Sequence, residues 1–342
     1  MSIEERINDG LSGKYKGLNN GFDRLNKLLF GIQRSTYYLI GGQSGTFKTT
    51  LTDYMVINAM EDAKKQGIPL NVYYYSFEID KLTKQCNWLS VLVYQKYNVI
   101  VPPEKIKGLG DNRLTKDELD MVNTCIPELE EMFNKIKFDF TPVNPTGIYN
   151  NLWRTFENKG KFMKEKYTDN TGKEREKIIK FVPNNPNEMN ICVVDHLYYL
   201  QKEREFQTKE TIDKFSEYCV ALKNMFGMTF INIQQFNRSL SSVERQKFKG
   251  ADMSPQESDF KDTGNTYQDA DVVLGIMNPY KLDMEECLDY DISKLGRYMI
   301  MLKIIKNRLS SDGEGIGLYA NPKAGKFEEL PDPDKINYTN YM

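Results

Sequence analysis

The chain is 342 residues long and 40% hydrophobic, enough for one large α/β domain or two smaller ones. Its net charge of −2 offers no overall basic field for nucleic acid, so any such contact must come from local loops. Five scattered cysteines without a C-x-x-C pair read as free thiols in a reducing cytosol, and a single histidine, His196, excludes a multi-histidine metal centre.

The start, Met1-Ser2-Ile3-Glu4-Glu5-Arg6, is polar and charged, unlike a signal peptide. No apolar run approaches the ~18 residues needed to span a bilayer, so the expectation is a soluble cytoplasmic protein with no membrane association. Residues 1–30, with an apolar patch from Leu25 to Phe30, read as an arm and linker; 31–330 read as the main domain and 331–342 as a tail. Tyr37-Tyr38-Leu39-Ile40 predicts a first buried strand, and Leu51–Lys65 a helix ended by Gly67 and Pro69. Val72–Phe77 predicts a second strand, followed by a helix over Lys81–Tyr97. Residues 100–155 read as mostly helical, with Leu114-Thr115-Lys116-Asp117-Glu118 as a capped start.

The stretch 159–180 carries eight Lys/Arg against four Asp/Glu, with the turn signal Asp169-Asn170-Thr171-Gly172 in its middle. It predicts an exposed hairpin within an insertion over 159–188, suited either to solvent or to a polyanion. Asn190–Asp195 predicts a third strand. Thr211–Phe226 predicts a helix with Ile212, Phe215, Tyr218, Cys219 and Leu222 on one face. Met228–Ile233, Asp271–Met277 and Tyr298–Ile305 predict three more strands. Strands alternating with helices imply an α/β fold, a mainly parallel central sheet with helices on both faces.

The chemistry concentrates at Gly41-Gly42-Gln43-Ser44-Gly45-Thr46-Phe47-Lys48-Thr49-Thr50. A glycine-rich turn between a strand and a helix aims backbone N–H groups and the positive helix end at a polyphosphate. Gly42, Ser44, Gly45, Thr46, Lys48, Thr49 and Thr50 are the expected nucleotide contacts. Lys48 can reach the β/γ oxygens and the Thr49 hydroxyl can ligate Mg²⁺, which points to a nucleotide triphosphatase. The spacing fits G-x-x-x-x-G-K-[ST] from Gly42, except that Phe47 stands at the second glycine. Its ring must then point away from the nucleotide, with Gly45 taking over part of the turn.

Ligands of open parallel sheets sit at the carboxyl ends of the strands. Asp195 closes the third strand, either as the Mg²⁺-side carboxylate opposite Thr49 or as a cap for the next segment. Glu78 closes the second, to orient or deprotonate water or to cap the following helix. Gln235 follows the fourth strand, as a γ-phosphate sensor or an ordinary loop residue. Lys306 and Arg308 lie two apart at the end of the last predicted strand and point the same way. They suit either a solvated strand end or a finger reaching a neighbouring subunit's nucleotide.

Together these segments resemble the C-terminal motor domain of DnaB-type replicative helicases, a RecA-like hexameric ATPase family, from about Gly17 to Glu329. Gly21-Phe22-Asp23-Arg24-Leu25 looks like the family's lead-in to its first strand. Ser76-Phe77-Glu78-Ile79 is similar to S-L-E-M, Val193-Val194-Asp195-His196-Leu197 to the V-D-Y-L strand, and Gln234-Gln235-Phe236-Asn237-Arg238 to S-Q-L-N-R. Asp259-Phe260-Lys261-Asp262-Thr263-Gly264, with Gln268-Asp269-Ala270-Asp271-Val272-Val273, tracks D-L-R-E-S-G…E-Q-D-A-D-V-V. Lys306-Asn307-Arg308 corresponds to K-x-R.

The resemblance implies a RecA-like P-loop NTPase that hydrolyses ATP with Mg²⁺ at the interfaces of a six-subunit ring. Lys48, Thr49, Asp195 and the base Glu78 would act in cis, and Lys306 and Arg308 in trans. Single-stranded DNA would thread the ring, held through phosphates by Arg238, Arg245, Lys247, Lys249 and backbone amides near Gly250 and Gly264. The family's helical collar recruits a primase and a loader, yet only about 30 residues precede the motor here. The expectation is that rings form differently, on DNA, or with a collar from a partner. A compact motor rich in Asn, Lys and Tyr suits a bacteriophage, which would place it in the host cytoplasm.

Overall fold

The computed structural model describes residues 3–11, 13, 16–237, 253–321 and 325–341. Helices α1 (Ile3–Leu11) and α2 (Asp23–Leu29) precede β1 (Tyr37–Gly42), α3 (Lys48–Gln66), β2 (Leu70–Ser76) and α4 (Lys81–Tyr97). They are followed by α5 (Pro103–Ile106), α6 (Lys116–Lys135), β3 (Ile136–Asp139) and α7 (Pro145–Glu157). The hairpin β4 (Gly160–Thr168) and β5 (Glu174–Pro183) leads to β6 (Met189–Asp195), α8 (Thr208–Phe226), β7 (Thr229–Gln235) and β8 (Val272–Met277). A short ribbon, β9 (Glu286–Cys287) and β10 (Tyr290–Asp291), precedes β11 (Met299–Asn307), β12 (Gly315–Asn321) and β13 (Lys326–Glu329).

Among the described residues, nine strands form one sheet in the order β13-β12-β11-β8-β1-β7-β6-β2-β3. Neighbours from β8 to β3 run parallel, and β11, β12 and β13 extend the sheet antiparallel. Alternation along each strand divides the core into two layers. Tyr38, Ile40, Tyr74 and Val193 pack with Leu51, Met55, Trp88 and Leu129 from α3, α4 and α6. Tyr37, Leu39, Tyr75 and Val194 pack on the other face with Ile148 and Leu152 of α7 and Ile212, Phe215, Cys219 and Leu222 of α8. The sheet is thus mainly parallel with helices on both faces, as expected.

Local signals act where the sequence placed them. Gly67 ends α3 with a left-handed φ of 65°, its N–H donating to the Ala63 and Lys64 carbonyls. Thr115 and Glu118 form a reciprocal capping box at the start of α6. The basic insertion is a two-stranded hairpin turning at Asp169–Gly172. Its root is aromatic: Phe162 stacks on Trp153 with ring centroids 5.5 Å apart, and Phe181 meets Phe226 edge-on at 4.9 Å.

Three elements depart from the expected string. β3 interrupts the stretch read as mostly helical, because Ile136–Asp139 pairs in register with Val72–Tyr75. Met132, Phe133 and Ile136 keep helical spacing up to that point, so only the pairing decides where the helix stops. The strand ending at Lys306 is not the last, since β12 and β13 follow. Residues 18–29 do not trail outside the domain, for Leu18, Phe22, Leu25 and Leu29 lie in the core beside Phe327. All five cysteines are buried, and none forms a disulfide. Among the described residues, no helix is long and apolar enough to cross a membrane.

Candidate nucleotide site

Parallel pairing brings the predicted residues to one edge. Gly42 lies in register with Gln235 on one side and Ile276 on the other, and Ser76 with Asp195. The phosphate loop, Glu78, Asp195 and Gln235 therefore all sit at the carboxyl edge of the sheet. Glu78 and Gln235 are exposed there; Lys48 and Asp195 are buried.

The loop is tight at its base. A Cβ at Gly42 would lie 2.6 Å from Thr46 Oγ1, and Thr46 Oγ1 donates to the Gln43 carbonyl at 2.8 Å. Phe47 takes the left-handed φ of 66° that the usual glycine accommodates freely. Its ring is half-buried against the core layer of α3, away from the loop interior, as its bulk required. Gly45, at φ 69°, also turns left-handed, and its carbonyl accepts from Lys281 Nζ at 2.9 Å.

Lys48, the first residue of α3, donates to the Gln43 carbonyl at 2.7 Å. Burial lowers its pKa to about 8, opposed by the nearby carboxylates of Asp195 and Glu78. Thr49 Oγ1 donates to Asp195 Oδ1 at 3.0 Å. Burial pushes the Asp195 carboxyl up to about 6, with Lys84 and the Thr49 hydrogen bond acting against the rise. The Asp195–His196 peptide is cis. Burial, aided by Lys48, depresses the His196 imidazole to about 4, so it is neutral at physiological pH. Its Nδ1 accepts from the Tyr198 N–H at 3.2 Å.

Behind Asp195 lies a cluster that the motifs did not announce. Lys84 Nζ is 3.1 Å from both Asp53 oxygens and 3.1 Å from the Tyr74 hydroxyl, which itself donates to Asp53 at 2.7 Å. A buried Lys needs a partner, and an Asp in the second turn of the helix that follows the loop supplies it. That pairing was readable only as two polar residues on otherwise apolar faces. Lys281 was also missed, because it lies on a turn after β8 rather than within any motif.

The long acidic motif has structural work here. Phe260 packs edge-on against Phe236 at 4.9 Å, and both rings fill the space that a Cβ at Gly41 would need. The Asn237 N–H donates to the Asp259 carbonyl at 3.0 Å. Asp269 accepts from Ser216 of α8 at 2.7 Å, and Asp271 from the Tyr37 N–H at 2.8 Å and Lys223 Nζ at 2.7 Å. The motif thus ties the segment after β7 to β1 and α8.

Lys306 and Arg308 lie elsewhere. Lys306 pairs with Val273 and Asn307 with Val272, at the end of β8 remote from Gly42. Lys306 Nζ donates to the Tyr267 and Gln268 carbonyls at 2.7 and 2.8 Å, and Arg308 to the Gln268 carbonyl at 2.9 Å. The two side chains converge as expected, but away from their own phosphate loop. Gly264 opens the short helix Gly264–Asp269. Arg238, Arg245, Lys247, Lys249 and Gly250 lie outside the described residues.

Residues 149–329 match the DnaB-like helicase C terminal domain family. The chain belongs to that family. The match takes in Asp195, Gln235, the acidic motif, Lys306 and Arg308, while the phosphate loop and Glu78 precede it. The chain is 23% identical over 282 residues to the replicative DNA helicase DnaB of Helicobacter pylori, covering 82% of itself and 47% of that protein. It thus spans about half the length of this DnaB relative. The fold is shared with a solved ATPase domain, with a TM-score of 0.71, 17% identity and coverage of 96% of this chain and 99% of the other. It is also shared with a DnaB-like replicative helicase described with its interactions with primase, with a TM-score of 0.70, 16% identity, and coverage of 96% and 69%.

Proposed function

We propose that the chain is the motor of an ATP-dependent replicative DNA helicase, which advances along single-stranded DNA as a homo-oligomeric, six-subunit ring. The observation that carries the reading is the hydrogen bond from Thr49 to Asp195 at 3.0 Å, with the buried Lys48 and the exposed Glu78 close by. A hydroxyl and a carboxylate so placed are the oxygen donors that Mg²⁺ prefers. The second Asp195 oxygen is buried without a hydrogen bond. The donor set and the glycine-lined cradle at Gly42 fit magnesium–ATP.

When bound, magnesium–ATP supplies the reactive phosphorus and part of the charge compensation. Gly42, Ser44, Gly45, Thr46 and Thr50 line the cradle, and Thr49 and Asp195 would hold the metal. Lys48 keeps most of its charge at neutral pH and is free to exchange the Gln43 carbonyl for phosphate. Glu78 orients water and accepts its proton; Gln235, in register with Gly42, reports the state of the loop to the segment after β7. Lys306 and Arg308 serve the adjoining subunit's site. The segment from Gln235 to Gly264, with Arg238, Arg245, Lys247 and Lys249, grips DNA phosphates without regard to sequence. A primase or loader is the expected protein partner, and the cytoplasm the expected place of action.

ATP turnover measured with and without single-stranded DNA, followed by unwinding of a forked duplex, tests the reading. DNA-stimulated hydrolysis with strand separation is expected. Hydrolysis with filaments and no unwinding would assign a recombinase-like strand-binding ATPase, and nucleotide binding without turnover a regulatory module.

A further inference from the structure

We propose that Lys84 is a positioning residue for Asp195, holding the carboxylate that faces the metal side of the loop. Three elements meet at its ammonium. Asp53 belongs to α3, the helix that the phosphate loop opens; Tyr74 to β2; and Asp195 to the end of β6. Lys84 itself lies near the start of α4, the helix that follows Glu78.

Lys84 is fully buried, and so are Tyr74 and Asp195; Asp53 is 3% exposed. Lys84 Nζ contacts both Asp53 oxygens at 3.1 Å and stands 3.8 Å from Asp195 Oδ2. Its approach to Asp195 is fixed by the Tyr74 hydroxyl at 3.1 Å and by the Tyr74 ring, whose centroid is 4.4 Å away. Asp195 Oδ1 receives the Thr49 hydroxyl, whereas Oδ2 has no hydrogen bond. Lys84 thus brings a buried cation to the second oxygen and sets which way the carboxylate plane turns.

The charge count gives the arrangement its meaning. One ammonium lies between two buried carboxylates, and a dry interior tolerates little unbalanced charge. Asp53 takes the short contacts, so Lys84 orients Asp195 while only partly neutralising it, and Lys48 is a second cation near that carboxylate. A divalent ion held there would meet a carboxylate that is fixed in direction and still able to bind it. Partners behind metal-binding groups act in this way, and their loss typically costs about 10–100-fold in metal affinity.

This inference rests on the nucleotide reading above, and its test separates the two. The pair Asp53→Leu with Lys84→Met removes an anion and a cation together, so net charge is unchanged and neither residue leaves the other's charge orphaned. Binding of a fluorescent, non-hydrolysable ATP analogue is titrated with Mg²⁺ and repeated in EDTA, and thermal unfolding is followed in parallel. The expected result is a Mg²⁺ midpoint raised about tenfold in the double variant, with affinity in EDTA unchanged. A wild-type midpoint in the double variant overturns the proposal, since Lys84 then serves Asp53 alone. If the double variant shows no cooperative unfolding, Lys84→Gln carries the same measurement: a raised midpoint supports the assignment and an unchanged one overturns it. Wild-type protein that takes up no nucleotide at any Mg²⁺ concentration sinks the motor reading itself, and this inference with it.

Discussion

Arg308 faces Asp271 at 3.5 Å, at the foot of the sheet, while the phosphate loop opens at its top. Val272 pairs with Tyr38, four residues before Gly42, which puts roughly 13 Å of strand between the Arg308 end and the loop. A guanidinium at that end cannot serve its own nucleotide. Arg308→Ala is therefore expected to lower ATP turnover about a thousandfold while leaving nucleotide binding intact. In mixtures with a Lys48→Ala partner, each variant supplies what the other lacks, and partial activity should return. Turnover that stays at the level of the separate variants at every mixing ratio would place Arg308 outside the mechanism.

Glu78 is an exposed carboxylate just beyond the carboxyl end of β2, close enough to Lys48 to affect its charge. Glu78→Gln keeps the size and removes the base, so turnover should fall by about 10²–10⁴ with nucleotide affinity unchanged. Single-turnover hydrolysis together with equilibrium binding checks both halves. A variant as fast as the parent would remove Glu78 from the mechanism, since Asp80 already caps the start of α4.

Phe47 occupies a left-handed backbone at φ 66°. Alanine there keeps the steric cost and loses the ring's packing, whereas glycine relieves the cost. Phe47→Gly should therefore be more stable than Phe47→Ala by about 1 kcal/mol in urea denaturation. Equal midpoints would show that the left-handed turn costs this loop nothing.

The hairpin is exposed except at its root. Replacing residues 164–177 with a short turn should leave the unfolding midpoint and nucleotide binding unchanged. Phe181, buried among Phe156, Phe162 and Phe226, should cost about 3–5 kcal/mol when changed to Ala. Loss of cooperative unfolding in the shortened chain would make the hairpin part of the folding unit.

Local chemistry made much of this protein legible in its residues. Strands buried on both faces read as apolar runs, Gly67 and the Thr115–Glu118 box marked helix ends, and Gly42 to Thr50 announced a phosphate loop, because each depends on neighbours only a few positions away. Asp195 and Glu78 could be nominated as strand ends, but Asp195 could not be brought to Thr49 nor Glu78 near Lys48. That required β6, β2 and β1 to lie parallel in one sheet, with Ser76 level with Asp195. Long-range packing alone decided the rest. β3 exists because β2 offers it an edge, and Lys306 and Arg308 face away from their own loop because β11 runs antiparallel to β8. Lys84 finds Asp53 and Asp195 because three separate elements converge in the dry layer behind the site, a meeting for which no spacing along the chain gives a sign.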